Sequence, residues 1–228
     1  TKQKIRQVEK FGGNKIDIKL IGDDFSEAYQ NALSFCNANN KIFIHPFDDK
    51  KVIEGQATIF FEIIEQSKFN IDYIFIPIGG GGLVSGAINV FKQLSPKTKI
   101  IGVEPLGAPS MKTSLINNKN TTLEFIDGFV DGAAVKRVGD ISFALCKEYL
   151  DDILLISEGE ICQSIIDLKN RDKIISEPAG AMSTGALSSF SKEILNKNVV
   201  CIICGGNNDE ERMTEIEKRA LDWKKTIS

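Results

Sequence analysis

Four consecutive residues of this sequence carry no side chain: Gly79, Gly80, Gly81 and Gly82. We call this segment the glycine loop. An apolar segment without polar alternation, residues 73–78, precedes the loop, and apolar residues recur at helical spacing after it. This pattern predicts a strand buried on both faces, then the loop, then a helix. Glycine lets the backbone approach a ligand closely, and a helix start offers unpaired N–H groups and a positive dipole end. The stretch therefore predicts an anion site, for which phosphate is the usual ligand.

A second junction of the same kind closes the last predicted strand, residues 199–204. Cys204 ends that strand, and Gly205 and Gly206 follow it. Because ligands bind at the carboxyl ends of parallel strands, we expect Cys204 and the glycine loop to face the same site. An isolated cysteine is more often a small buried apolar residue, but the adjacent glycines favour a binding role here.

The glycine loop does not match the common nucleotide-binding motifs. No Gly-Lys-Ser/Thr sequence closes it, which excludes a P-loop. The dinucleotide spacing G-x-G-x-x-G also fails, because Val84 or Ser85 stands where the third glycine is required. Only Glu104, at the end of the next predicted strand, has the position of a ribose-binding carboxylate. A nicotinamide enzyme is therefore a minor alternative.

The other chemically active residues form no catalytic or metal-binding pattern. The single histidine, His45, stands before Pro46 at a predicted strand end, where a structural role is favoured. No Ser-His-Asp or Cys-His pair can be assembled from the sequence. Cys201 and Cys204 should point to opposite faces of their strand, about 10 Å apart, too far for a disulfide or a shared zinc ion. The chemistry must therefore come from a phosphate-bearing cofactor.

Helices and strands alternate along the chain, which predicts an α/β fold with a largely parallel sheet flanked by helices. Asp23 or Asp24 is expected to cap the second helix, and Ser157-x-x-Glu160 to open one that reaches about Lys173. The other predicted helices cover residues 2–11, 178–190 and 210–225 and the stretch around 141–149. The predicted strands are residues 16–20, 41–45, 73–78, 99–103, 153–156 and 199–204.

The composition excludes several classes of protein. Of the 228 residues 42% are hydrophobic, which is enough for a sizeable core, and the formal net charge of -3 gives no basic surface for nucleic acid. No apolar run approaches the length of a membrane span, and no signal peptide opens the sequence. Five cysteines, an odd number, favour free thiols in a reducing compartment. We therefore expect a cytoplasmic protein that binds neither nucleic acid nor membrane.

Six motifs together resemble the fold-type II pyridoxal-phosphate enzymes, whose type is the tryptophan synthase β subunit. Within that group the sequence looks most like the biosynthetic threonine dehydratases. The motifs are G-Q-A-T at 55–58, I-G-G-G-G-L at 78–83, G-V-E-P at 102–105, D-G-A-A-V-K-R-V-G at 131–139, E-P-A-G-A at 177–181 and C-G-G-N at 204–207. They follow the family's order from residue 1 to about 220. The resemblance implies pyridoxal 5'-phosphate as the cofactor.

The resemblance also implies roles for particular residues. Backbone N–H groups of the glycine loop and of Leu83 would hold the cofactor phosphate, and Cys204 would face the pyridine nitrogen. A neutral partner leaves that nitrogen largely unprotonated, which favours β-elimination over transamination. A site for a monovalent or divalent cation would take oxygen ligands from five residues. These are Glu104, Ala108, Ser110, Ala133 and Val135.

Two parts of the family's enzymes have no counterpart in this sequence. The Schiff-base lysine lies upstream of what matches Thr1, and a regulatory domain usually follows the region around Lys224. We therefore expect residues 1–46 to be the remainder of a small cofactor domain and residues 47–209 to form the large catalytic domain. Residues 210–228 would be a C-terminal helix leading to the regulatory domain. We assign no catalytic residue, and the chain alone is expected to be inactive.

The hypothesis that follows is a pyridoxal-phosphate-dependent ammonia-lyase of isoleucine biosynthesis. It would convert L-threonine to 2-oxobutanoate and ammonia, would also accept L-serine, and would form a homo-oligomer in its full-length form. One alternative is an enzyme similar to serine dehydratase or serine racemase. A second is a truncated homologue without catalysis.

Overall fold

The computed structural model describes residues 2–22 and 25–227 of the chain. In this part of the chain the sheet has four strands in the spatial order β3-β2-β1-β4. The strands are β1 (Tyr73–Pro77), β2 (Lys99–Pro105), β3 (Asp152–Ile156) and β4 (Val199–Cys201). All their pairings are parallel, and β1 lies between β2 and β4. The predicted α/β fold with a parallel sheet is confirmed.

The helices of the described residues are α1 (Lys2–Gly12), α2 (Phe25–Ala38), α3 (Lys50–Gln66), α4 (Gly82–Leu94), α5 (Ser110–Ile116), α6 (Asp140–Tyr149), α7 (Glu158–Asp167), α8 (Met182–Gly185) and α9 (Met213–Ile227). Helices α3 to α9 contribute side chains to the cores on the two faces of the sheet, whereas α1 and α2 bury no residue. Within the described residues, no helix combines the length and the apolar character needed to cross a bilayer.

The central strand alternates its side chains between two hydrophobic cores. Ile74 and Ile76 pack on one face with Phe60 of α3 and Phe91 of α4, whose rings lie 6.1 Å apart. Phe75 packs on the other face, in the core that α7, α8 and α9 help to form. Because both faces are covered, β1 needs apolar residues at successive positions, which is the pattern that predicted it.

Two predicted strands, residues 16–20 and 41–45, are wrong. Both segments lack regular secondary structure and pair with no strand in the described part of the chain. A strand requires a neighbour for its N–H and C=O groups, and a suitable apolar pattern cannot replace that neighbour. The apolar side chains of Leu20 and Ile42 are accordingly 74% and 91% exposed.

The ends of other elements also differ from the prediction. The last strand stops at Cys201 instead of Cys204, because the chain leaves the sheet to bond the segment around Glu177, whose N–H donates to the Gly205 carbonyl at 3.0 Å. The helix predicted over 178–190 is divided into the short helical turns Ala179–Ala181 and Ser188–Phe190 on either side of α8.

The Ser157–Glu160 capping box is present, but α7 ends at Asp167 and continues only as the wide turn Leu168–Asp172. The predicted cap at Asp23 or Asp24 lies outside the described residues. The division into domains at residues 46 and 209 stays a prediction.

Candidate active site

The glycine loop connects the end of β1 to the start of α4. Gly81 has a φ of 96°, in the left-handed region, and stands at the N-cap position of α4. Its carbonyl accepts hydrogen bonds from the N–H and the hydroxyl of Ser85, at 3.0 and 2.8 Å. Within the described residues, the N–H groups of Gly79, Gly80 and Gly81 donate to no protein acceptor. The loop therefore presents unpaired donors beside a helix N-terminus, which suits an anion.

The loop needs glycine because protein atoms occupy the space of every β-carbon. A Cβ on Gly80 would lie 2.3 Å from the Phe47 ring, and one on Gly82 would lie 2.8 Å from the Phe47 carbonyl oxygen. A Cβ on Gly79 would lie 3.0 Å from the Ala133 Cα, and one on Gly81 would lie 2.6 Å from a side-chain carbon of α6. The sequence interpretation considered ligand approach and positive φ, but it missed this packing.

A cavity of about 400 Å³ opens in front of the glycine loop, at the carboxyl ends of β1 and β4. It brings together the predicted cofactor residues Gly79, Gly80, Gly81, Gly82, Leu83 and Cys204. The remaining lining residues are Phe25, Pro46, Phe47, Gln56, Pro77, Asp131, Gly132, Ala133, Ala134, Val135 and Ala179. No lysine lines this cavity in the described part of the chain.

Cys204 presents a neutral thiol to the cavity. The residue is exposed as a whole, and its Sγ lies 3.9 Å from the Ala179 carbonyl oxygen. Loss of water around the sulfur, together with the nearby Glu177 carboxylate, raises the pKa of the Cys204 thiol to about 11. The group is therefore protonated at neutral pH, as a neutral partner for a ring nitrogen must be.

Glu177 shapes the turn after Cys204, a role that sequence reasoning missed. The buried carboxylate accepts the Asn207 N–H at 3.0 Å. A Cβ on Gly205 would lie 2.5 Å from the carboxyl carbon of Glu177, so a side chain at position 205 would displace this carboxylate. The E-P-A-G-A motif was the only signal for this contact, and the motif does not reveal its geometry.

Part of the predicted cation site lies around the N-terminus of α5. Glu104 is buried, and its two carboxylate oxygens accept the N–H groups of Met111 and Lys112 at 2.7 and 2.9 Å. Burial raises the pKa of Glu104 to about 7, although these two hydrogen bonds oppose the shift. The Ser110 hydroxyl donates to the Val135 carbonyl in a short hydrogen bond.

The other two predicted cation ligands lie on either side of this group. Ala108 belongs to the turn before α5, where its N–H donates to the Pro105 carbonyl at 3.0 Å. Ala133 lies against Gly79, on the cavity side. The oxygens of Glu104, Ser110 and Val135 all have protein partners, and the described residues contain no cluster of three or more His, Cys, Asp or Glu that could hold a metal. The cation site stays a prediction.

Fold and site together are typical of α/β enzymes that bind a phosphate-bearing cofactor at the carboxyl edge of a parallel sheet. The family model described as "Pyridoxal-phosphate dependent enzyme" matches residues 1–205, and the chain belongs to that family. The unpaired amides of the glycine loop fit the cofactor phosphate, and the neutral thiol of Cys204 fits an unprotonated pyridine nitrogen.

Comparison with individual proteins narrows the relationship. The chain is 49% identical over 220 residues to "L-threonine dehydratase biosynthetic IlvA" of Halalkalibacterium halodurans, a match that covers 96% of this chain and 53% of the relative. It superposes with a TM-score of 0.89 and 38% identity on the processed form of threonine deaminase isoform 2 from Solanum lycopersicum, covering 97% of this chain and 60% of that one. Serine racemase from Dictyostelium discoideum gives a TM-score of 0.78 at 32% identity, covering 92% of this chain and 66% of the other.

These findings confirm the predicted family, the fold-type II architecture and the cofactor. They also confirm the resemblance to biosynthetic threonine dehydratases, with a serine racemase among the structural relatives. The chain spans about half the length of the curated relatives it matches. The individual roles assigned to the site residues stay predictions.

Proposed function

We propose that this chain is the cofactor-binding part of an L-threonine ammonia-lyase, which forms 2-oxobutanoate and ammonia in isoleucine biosynthesis. The observation that carries the proposal is the meeting of unpaired loop amides and a neutral thiol in one cavity. The names of the relatives support threonine as the substrate.

The residues of the chain bind and orient the cofactor. The amides of the glycine loop, and of Leu83 in the first turn of α4, donate to its phosphate, assisted by the helix dipole. Pro46 and Phe47 form an apolar wall beside the loop, which excludes water from that side of the cavity. When bound, pyridoxal phosphate supplies the electron-withdrawing ring that makes the Cα proton of an amino acid labile.

Cys204 selects the kind of reaction. A thiol with a pKa of about 11 neither carries a negative charge at neutral pH nor transfers a proton readily to the ring nitrogen. Cys204 would therefore leave a cofactor nitrogen beside it unprotonated, whereas a carboxylate at this position would favour its protonation. A neutral residue at this position would favour β-elimination over transamination.

The lysine that bonds to the cofactor is not among the residues that line the cavity in the described part of the chain. The resemblance implies that this lysine lies outside the 228 residues. We propose that the 228 residues alone bind the cofactor weakly and release no 2-oxobutanoate. The full-length form would combine both parts of the site.

Two further parts of the proposal concern the cation and the assembly. We propose that potassium or a divalent ion binds among Glu104, Ala108, Ser110, Ala133 and Val135, because these oxygen donors suit a hard cation. The activity of the full-length form should then rise with that cation at constant ionic strength, and Glu104→Ala should abolish the response. Homo-oligomer formation and a cytoplasmic location stay predictions.

The principal experiment compares L-threonine with L-serine as substrates of the full-length form. We expect 2-oxobutanoate from threonine with a higher kcat/KM than pyruvate formation from serine. The similarity to a serine racemase makes a serine-specific enzyme the second candidate, which a preference for L-serine or formation of D-serine would establish. Cofactor binding without turnover of either substrate would favour the non-catalytic homologue.

A further inference from the structure

The carboxylate of Asp48 holds the first turn of α6. Its two oxygens accept the N–H groups of Asp140, Ile141 and Ser142 at 2.8, 3.1 and 3.3 Å. These amides have no partner within their own helix, and the helix dipole favours a negative charge beside them. Asp48 therefore fixes residues 45–48 to the start of α6, over a separation of more than ninety residues in sequence.

The same turn of α6 also supports the glycine loop. The N–H of Gly139, which is the N-cap residue of α6, donates to the Gly80 carbonyl at 3.0 Å. The Ser142 side chain lies directly against Gly81. The N-terminus of α6 therefore contacts both Asp48, through its backbone amides, and the glycine loop, through Gly139 and Ser142.

Phe47 completes the connection, because it lies between Asp48 and the glycine loop. Its ring contacts Gly80 and its backbone contacts Gly82. The turn that places Phe47 is fixed by His45, whose Nδ1 accepts the N–H groups of Phe47 and Asp48 at 3.2 and 2.8 Å. The contacts form a closed ring from α6 to the glycine loop, then to Phe47 and Asp48, and back to α6.

We propose that Asp48 is a positioning residue for the phosphate-binding amides of the glycine loop. Asp48 does not line the cavity, so it acts through Phe47 and α6 and touches no ligand. When the Asp48 carboxylate is bonded to α6, Phe47 packs against Gly80 and Gly82. This packing keeps the amides of the glycine loop in one orientation. This inference rests on the proposed function of the loop as a cofactor-phosphate site.

The neighbouring Asp49 provides a matched control. Its carboxylate caps α3, accepting the N–H groups of Lys51 and Val52 at 2.8 and 3.2 Å, without contact to the glycine loop. Asp48→Ala and Asp49→Ala each remove one helix cap and should lower the unfolding temperature by similar amounts. We expect only Asp48→Ala to weaken cofactor binding, by roughly tenfold, which corresponds to about 1.4 kcal/mol.

A second pair of variants tests the route through Asp48. Gly139 has a φ of -64°, which alanine adopts without strain, but an added Cβ would lie 2.1 Å from Asp48 Oδ1. Gly139→Ala alone should therefore displace Asp48 and weaken cofactor binding. In an Asp48→Gly background, which also removes the Asp48 Cβ that lies 2.7 Å from the added carbon, it should change the affinity by less than about twofold, because coupled residues are not additive.

The measurement is titration of the cofactor-free full-length form with pyridoxal phosphate, followed by absorbance, with thermal unfolding of each variant in parallel. Asp48→Asn, which keeps a capping acceptor, should restore affinity to within about threefold of the parent. Equal affinities for Asp48→Ala and Asp49→Ala would overturn the inference, as would additive effects of Asp48→Gly and Gly139→Ala. Failure of the parent protein to bind pyridoxal phosphate would instead overturn the proposed function.

Discussion

Replacement of Gly81 by alanine tests the geometry of the glycine loop most severely. At a φ of 96° a residue with a side chain is strained, and the added Cβ would lie 2.6 Å from the Ser142 Cβ. The left-handed conformation costs about 1–2 kcal/mol, and the overpacking costs about 1–3 kcal/mol. We expect Gly81→Ala to reduce the free energy of unfolding by about 2–5 kcal/mol unless the loop moves. If it moves, its amides leave the cavity and affinity for pyridoxal phosphate falls instead.

Gly128→Ala is the control for this variant. Gly128 lies in a loop, its φ is outside the left-handed region, and nothing stands within 4 Å of an added Cβ. Its stability should change by no more than about 0.5 kcal/mol in either direction. Urea unfolding and cofactor titration of the full-length form measure both quantities. A Gly81→Ala variant that matched Gly128→Ala in stability and in affinity would refute the proposed geometry of the loop.

Three further predictions concern titratable groups of the chain. In the full-length form Cys204→Ser should keep much of the elimination activity. Cys204→Asp should lose it, because a carboxylate favours protonation of the ring nitrogen. Equal kcat values for the two variants would show that Cys204 does not face the ring. The pKa of Glu104 is raised by burial from 4.5 to about 7, so stability should fall by about 3 kcal/mol as the pH rises through this range. Glu104→Gln should flatten that dependence in urea unfolding, and an unchanged slope would contradict it. Burial lowers the pKa of His45 from 6.5, although the charges of Asp48 and Asp49 oppose the shift. The stability that the neutral imidazole contributes should therefore be lost as the pH falls below 6.5. His45→Asn should remove this pH dependence of stability.

Patterns that depend on local chemistry were predictable from the sequence. The apolar run of β1 and the glycine loop each implied their structure, because burial on both faces and the left-handed φ of Gly81 restrict the residue types allowed there. The capping box at Ser157 was predictable for the same reason, since its hydrogen bonds join residues three apart. Cys204 follows the end of β4 and the glycine loop follows the end of β1, and the two share one cavity as predicted.

Contacts between distant parts of the chain were not predictable. The segments around Leu20 and Ile42 have the composition of strands, yet pairing depends on a neighbour that composition does not specify. In the sequence, Asp48 looks like an ordinary surface carboxylate, and only its neighbour Asp49 has the local position of a helix cap. Its bonds to residues 140–142 exist only because the fold brings α6 beside residues 45–48. The role of Glu177 beside Gly205 has the same origin.

The most direct test of the central claim is borohydride reduction of the full-length form with bound pyridoxal phosphate, followed by peptide mapping. The claim is that the 228 residues hold the cofactor through backbone amides and a neutral thiol, while the lysine that bonds to it lies elsewhere in the protein. We predict one labelled lysine per chain, located outside this sequence, and no stoichiometric label in the 228 residues prepared alone. A stoichiometric label on a lysine within residues 1–228 would contradict the account.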